Sequence, residues 1–218
     1  MKIDPRPDLF LYLVTDRGSS RGRAAADIVR EAVAGGVTCV QLRDKHSPTR
    51  ELIAEARRLK ALLRPVGIPL IINDRLDVAL AVEADGVHLG QQDMDIADAR
   101  RLAGPAMLIG ISVESLTDAV RAERQGADYL GISPVFATPT KTDTAAPLGL
   151  EGVERIRQAV GLPLVGIGGI KADNAAAVIA AGADGVAVVS AIVAADCPRT
   201  AAAELKRRIE QARAGRRI

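Results

Sequence analysis

Three short stretches of this 218-residue chain place cations, carboxylates and amides at spacings that suit an anionic ligand. "QLRDK" supplies Gln41, Arg43 and Lys45 at alternate positions, which in an extended segment lie on one face. "IINDR" supplies Asn73 and Asp74, and "VHLGQQDMD" supplies His88, Gln91, Gln92 and Asp93. Two carboxylates beside two cations suit Mg²⁺ bridging a polyphosphate, because that ion is commonly held by one or two carboxylates with phosphate oxygens and water. The competing arrangement is a charged layer inside the fold, with the cations paired to carboxylates. A ligand is preferred, because burying unpaired cations is costly. Asp95 is read as the cap of the following helix "DIADARRL", and Asp93 as either a second cap or a metal ligand. His88, a lone inward histidine, is read as a hydrogen-bonded core residue and only secondarily as a functional one.

A second group suits a monophosphate. "GIGGIKADN" contains Gly168 and Gly169, and "VVSAI" contains Val189 and Ser190. Glycines let a phosphate approach the backbone, and amides at a helix start can bind it. A GG pair is otherwise a tight turn. Between the two groups runs "GISPVFATPTKTDTAAPLGL", residues 131–150, with four threonines, three prolines and one lysine. Connections usually take about 4–6 residues, so this one reads as a disordered insertion, a lid or a binding loop. Its prolines favour a partly preformed lid.

The elements that must position these residues repeat. "AGGVTCVQL" (34–42), "EADGVHLG" (83–90), "QGADYLGI" (125–132) and "AGADGVAVV" (181–189) each place a helix stop before a short apolar run. Eight such runs are predicted as strands: "FLYLVT", "TCVQLR", "PLIIN", "GVHLG", "MLIGIS", "DYLGIS", "PLVGIG" and "GVAVVS". Amphipathic segments such as "TRELIAEARRLKALL" alternate with them. Strict alternation implies a parallel sheet, and eight units in about 200 residues imply an α/β fold of the (β/α)₈ TIM barrel type, one domain over residues 1–218. An open doubly wound sheet is disfavoured, since "VTDRGSS" replaces a Gly-rich dinucleotide turn after the first strand. In such a barrel the active site lies at the C-terminal strand ends, where the polar residues above fall, together with Ser112 at the end of the fifth run.

Composition narrows the partners. Hydrophobic residues make up 48% and charged residues 26%, with a net charge of +2 spread along the chain, which gives no reason to expect nucleic acid. The basic tail "KRRIEQARAGRRI" suits the last turns of a helix. No uncharged run approaches the ~20 residues of a membrane span, and the start is not a signal peptide. Cys39 and Cys197 show no metal spacing and are read as ordinary small apolar residues, so a cytoplasmic location is expected. Oligomeric state is left open.

Taken in order, "QLRDK", "IIND", "GVHLGQQDM", "GISVES", "PVFATPTK", "VGIGGI" and "GADGVAVVSAI" resemble the thiamine-phosphate synthase family from about Leu11 to Ile192. The resemblance implies a Mg²⁺-dependent transferase joining a hydroxymethylpyrimidine diphosphate to a thiazole phosphate, with pyrophosphate leaving. It implies that Gln41, Arg43, Lys45 and Asn73 grip the pyrimidine diphosphate and that Asp74 and Asp93 hold the metal. Ser112 and Lys141 would contact the same substrate, Thr138 and Thr140 the thiazole, and Gly169, Val189 and Ser190 its phosphate. Arg43, Lys45 and Lys141 would stabilise the departing charge. Ala137 and Ser133 depart from the family's commoner loop residues. Two alternatives are a thiazole tautomerase-like relative on the same barrel, disfavoured by the retained cations and carboxylates, and a catalytically silent phosphate-ligand sensor. A sugar-phosphate epimerase or a tryptophan-pathway isomerase would need an acid/base pair that the chain does not offer convincingly.

Overall fold

Alternation decides which residues line the barrel and which meet the helices. The strands are β1 (Leu11–Val14), β2 (Cys39–Leu42), β3 (Leu70–Asn73), β4 (Gly86–Leu89), β5 (Leu108–Val113), β6 (Tyr129–Ile132), β7 (Leu164–Gly166) and β8 (Gly185–Val188). These are the eight runs expected from sequence. The helices are α1 (Ala25–Ala34), α2 (Thr49–Leu63), α3 (Leu76–Val82), α4 (Ile96–Ala103), α5 (Leu116–Arg124), α6 (Gly149–Ala159), α7 (Ala175–Ala180), α8 (Ser190–Val193) and α9 (Pro198–Gly215). This computed structural model describes residues 8–138 and 146–215. Every neighbouring strand pair is parallel, and β8 returns to β1 with Leu11 opposite Val186, so the sheet closes. The open doubly wound alternative is thereby excluded.

Tyr12, Val14, Cys39, Ile71, Tyr129, Val165 and Ala187 form the interior cluster. Their strand neighbours Leu13, Val40, Ile72, Leu130 and Val188 join the larger core beneath the helices. In α2, Leu52, Ala56, Leu59 and Leu63 recur at helical spacing and are all buried. Truncating one of these leucines to alanine removes about 2–5 kcal/mol of stability. The strand β7 is shorter than expected, because Gly168 and Gly169 take left-handed conformations (φ 98° and 64°) that extended backbone cannot follow.

The four internal repeats have a structural cause at the N-terminal end of the barrel. Each repeat covers an even-numbered strand, and the residue just before that strand caps a backbone N–H at the start of the odd-numbered strand preceding it. Thr38 Oγ1 accepts from Leu11 N at 3.0 Å, Asp85 Oδ2 from Leu70 N at 2.8 Å, Asp128 Oδ2 from Ile109 N at 2.7 Å and Asp184 Oδ2 from Leu164 N at 2.8 Å. The backbone N–H of each capping residue donates in turn to the carbonyl of the same partner. Arg100 and Arg157 pair with Asp128 and Asp184. The helix stops before the runs are left-handed as expected, with glycine at 36, 126 and 182, but Glu83 (φ 51°) takes the fourth position. There Lys60 Nζ donates to the carbonyls of Val82 and Glu83.

The cysteines differ from their expected roles in one case. Cys39 is buried in the barrel, whereas Cys197 is exposed ahead of α9, where the Thr200 hydroxyl lowers its thiol pKa. No helix among the described residues is long and apolar enough to cross a membrane.

A candidate active site at the C-terminal mouth of the barrel

A cavity of about 580 Å³ opens at the C-terminal ends of the strands. Its lining brings together Gln41, Arg43, Lys45, Asn73, Asp74, Asp93, Ser112, Thr138, Gly169, Val189 and Ser190. Every expected site residue within the described segments therefore reaches one space. Thr140 and Lys141 lie outside the described residues.

The end of β2 is built by its neighbour β1. Thr15 N donates to the Gln41 carbonyl, and Arg43 N donates to Thr15 Oγ1 at 3.0 Å. Asp16 pairs with Arg43 at 2.7 Å, both side chains being under one-fifth exposed. The charged-layer arrangement thus holds for Arg43, although its partner comes from the β1 loop and the pair still borders the cavity. Asp16 itself is fixed by Ser19, whose N and Oγ donate to its other oxygen at 2.8 and 2.7 Å. Lys45 is exposed at the rim.

Asp74 occupies a left-handed conformation (φ 60°), with its N–H donating to the His88 carbonyl. That turn aims its carboxyl at Asp93. Burial, followed by the charge and hydrogen bond of Asp93, raises the Asp74 pKa to about 6, and Lys45 and Arg43 oppose the rise. Asp93 accepts from Gly90 N at 2.6 Å, folding the loop after β4 back over the mouth. The helix cap is Asp95, which accepts from Ala97 N, so the capping role also weighed for Asp93 belongs to its neighbour. Two like charges held face to face, with hard oxygen donors and cations alongside, fit a divalent cation of the Mg²⁺ type. Among the described residues no group of three or more His, Cys, Asp or Glu could enclose a metal.

Across the mouth, the loop after β6 is tied to the loop after β7. Val135 N donates to the Ile167 carbonyl and Phe136 N to the Gly168 carbonyl. A Cβ on Gly168 would lie 2.7 Å from Pro134 Cβ, and one on Gly169 would lie 2.6 Å from the Ala137 carbonyl. The two glycines are thus required by their left-handed backbone and by packing of the β6 loop, rather than by open space for a ligand at Cα. Leu148 N and Gly149 N donate to the carbonyls of Pro134 and Val135, which clamps the two described ends of the long loop together. Asn174 braces the turn after β7 by donating to the Gly169 carbonyl and accepting from Lys171 N. Val189 precedes α8, and Ser190 opens it at the exposed rim.

Sequence reasoning missed Tyr12, Tyr129, Asp16 and Lys171, all but Asp16 lining the cavity. The tyrosines are the chain's only two, and both fall on inward strand positions where alternation could have flagged them. Asp16 had no such pattern, because its role depends on β1 lying beside β2. His88 is a hydrogen-bonded interior residue as expected, contacting Tyr129 and Ser112.

Comparison with known proteins identifies the family and the fold. The family described as "Thiamine monophosphate synthase" matches residues 11–192. A thiamine-phosphate synthase of Chloroflexus aurantiacus is 57% identical over 206 residues, covering 94% of this chain and 95% of its own. One from Albidiferax ferrireducens is 58% identical over 202 residues, covering 93% and 92%. The solved structure of a thiamine phosphate pyrophosphorylase from Pyrococcus furiosus superposes with a TM-score of 0.88 at 44% identity, covering 96% of this chain and 99% of that one.

Proposed function

Because the chain belongs to the thiamine monophosphate synthase family, we propose that the mouth of its barrel performs that condensation with the residues assembled there. The chain joins 4-amino-5-hydroxymethyl-2-methylpyrimidine diphosphate to 4-methyl-5-(2-phosphoethyl)thiazole, giving thiamine phosphate and pyrophosphate. In the reaction the bond between the pyrimidine methylene and the diphosphate oxygen breaks, and a bond from the thiazole nitrogen to that methylene forms. The electron-rich aminopyrimidine supports positive charge at the methylene, so no enzyme nucleophile is needed.

Arg43 and Lys45 take the diphosphate, with Asn73 beside them, and Lys141 of the long loop is assigned to the same group. Their task is to stabilise negative charge as it builds on the leaving group, a contribution that preorganised cations supply in a water-poor site. Asp16 keeps Arg43 aimed at the mouth. Gln41 and Ser112 hold the pyrimidine ring. Thr138 and Thr140 hold the thiazole, with its phosphate on the backbone of Gly169, Val189 and Ser190. Asp74 and Asp93 would hold Mg²⁺, which when bound would neutralise diphosphate oxygens. Bringing the two rings together at fixed orientation supplies the rest.

The observation that carries this reading is the convergence of a cation group, a facing carboxylate pair and a glycine-amide turn on one cavity. The test is pyrophosphate release from the two heterocycles with and without Mg²⁺. Release that needs both heterocycles and the metal is expected. No release refutes the reading, and equal release without metal refutes the assignment of Asp74 and Asp93.

A further inference from the structure

Five side chains form a continuous hydrogen-bonded path across the interior of the barrel, ending at Gln41 and Ser112. Gln41 Nε2 donates to Tyr12 Oη at 2.9 Å, and Tyr12 Oη lies 3.0 Å from Tyr129 Oη. Tyr129 Oη lies 3.0 Å from His88 Nδ1, and His88 Nε2 lies 2.9 Å from Ser112 Oγ. Tyr12 and Tyr129 are each 1% exposed and His88 is 8% exposed. The barrel leaves out two side chains to lodge them. A Cβ on Gly110 would overlap the Tyr129 ring, and one on Gly131 would come within 3.0 Å of the His88 ring. Gly110 is the register partner of both His88 and Tyr129.

The direction of the path follows from counting protons. Burial pushes both phenols well above their ordinary pKa, so each keeps its single proton. An amide nitrogen only donates, so Tyr12 Oη accepts from Gln41. The Tyr12 proton then has two neighbours, the Tyr129 oxygen and the Cys39 sulfur, and the oxygen is the stronger acceptor. Tyr129 then directs its own proton toward His88 Nδ1, which acts as the acceptor nitrogen. Nε2 therefore carries the imidazole proton and donates it to Ser112 Oγ. With that lone pair engaged, the Ser112 proton is directed to the cavity. At the other end the bond to Tyr12 fixes the Gln41 amide, leaving Oε1 with no partner among the described residues and available to the cavity as an acceptor.

We propose that His88, backed by Tyr129 and Tyr12, is a positioning residue that presents Ser112 as a donor and Gln41 as an acceptor, selecting a ring-nitrogen lone pair beside an exocyclic amine. This is the edge of a 4-aminopyrimidine. A 4-oxopyrimidine reverses it, with a ring N–H beside a carbonyl, and is rejected. The proposal rests on the functional reading above, and it adds the three residues behind Gln41 and Ser112 and a reason for their order.

Two measurements test it. The chain has two histidines, so in a His46→Gln background ¹⁵N NMR of the imidazole nitrogens reads His88 alone. The Nε2–H tautomer is expected; the Nδ1–H tautomer or an imidazolium overturns the relay. Steady-state kinetics then compare the 4-amino and 4-oxo pyrimidine diphosphates. Tyr129→Phe keeps the ring but frees His88 to reverse, and Tyr12→Phe frees the Gln41 amide to turn. In both variants KM for the amino substrate should rise about tenfold while kcat changes by less than about threefold, and amino-over-oxo preference should fall about tenfold, the scale of one mispaired buried polar group. An unchanged preference overturns the proposal, because a purely structural role would lower both substrates alike. Absence of pyrophosphate release from the wild type overturns the functional reading and the specificity together, whereas the wrong tautomer overturns the relay alone.

Discussion

Asp74→Asn should make the metal-free protein more stable while removing its activity. In the folded chain the Asp74 carboxyl has a pKa of about 6 against an ordinary 3.8, chiefly through burial and then through the facing Asp93. A group that binds its proton more tightly in the folded state loses stability when that proton leaves. The penalty is absent below about pH 4, grows between about pH 4 and 6, and is complete above that range. A shift of about two units corresponds to roughly 3 kcal/mol at 1.36 kcal/mol per unit. Asp74 is only half-buried, so solvent screening reduces this to about 1–2 kcal/mol. Asparagine carries no charge and can donate an N–H to Asp93. It also tolerates the left-handed backbone that Asp74 adopts (φ 60°), so the turn should survive. Urea unfolding in EDTA at about pH 7.5 should show the variant more stable by that 1–2 kcal/mol, equivalent to about 2–8 °C in Tm for a chain of this size. Repeating the measurement at about pH 4.5 should shrink the gap, since the wild-type carboxyl is then largely protonated. A variant less stable than wild type at the higher pH, or a gap that ignores pH, would refute the reasoning.

Asp93→Asn keeps an acceptor for Gly90 N but removes the second charge; kcat/KM should fall at least about a hundredfold, while calorimetry should find thiazole phosphate binding within about threefold of wild type. Lys141→Ala should lower kcat and leave the urea midpoint unchanged; a loss of folding with normal turnover per folded molecule would contradict its proposed role. Asp184→Ala strips the acceptor from Leu164 N and one partner from Arg157. It should lower unfolding free energy by about 1–3 kcal/mol, with kcat/KM unchanged because the site lies at the other end of the barrel.

Most of the fold was legible because it follows from local rules. Short apolar runs, helical periodicity and regular alternation do not depend on distant partners, and all eight strands follow from them. Most of the cavity lining was legible for the same reason. Once strands are placed and their C-terminal ends identified, Gln41, Asn73 and Ser112 must face inward and Asp74 must begin a loop. Residues whose work depends on which strand lies alongside were not legible. Asp16 matters because β1 sits beside β2, and the Tyr12–Tyr129 contact spans 117 positions of sequence across the barrel interior. The packing constraint on Gly168 and Gly169 was not legible for a related reason, since the atoms that fill their missing side-chain space belong to residues 134–137.

The two ends of the barrel handle charge in opposite ways, and the contrast explains why one tolerates strain. At the N-terminal end Asp85, Asp128 and Asp184 each accept a strand N–H, and two of them also meet an arginine, so their charge is compensated within the fold. At the C-terminal end Asp74 is held left-handed against a second carboxylate, and ionisation of Asp74 is opposed. A chain selected for stability alone would have no use for that arrangement, and Asn at position 74 would relieve it without altering the turn. The unfavourable pairing makes sense if a cation arrives with substrate. Binding then removes a repulsion as well as forming new bonds, which strengthens the coupling between metal and diphosphate. Stability at one end of the barrel thus carries a carboxylate pair at the other whose repulsion a bound cation would relieve.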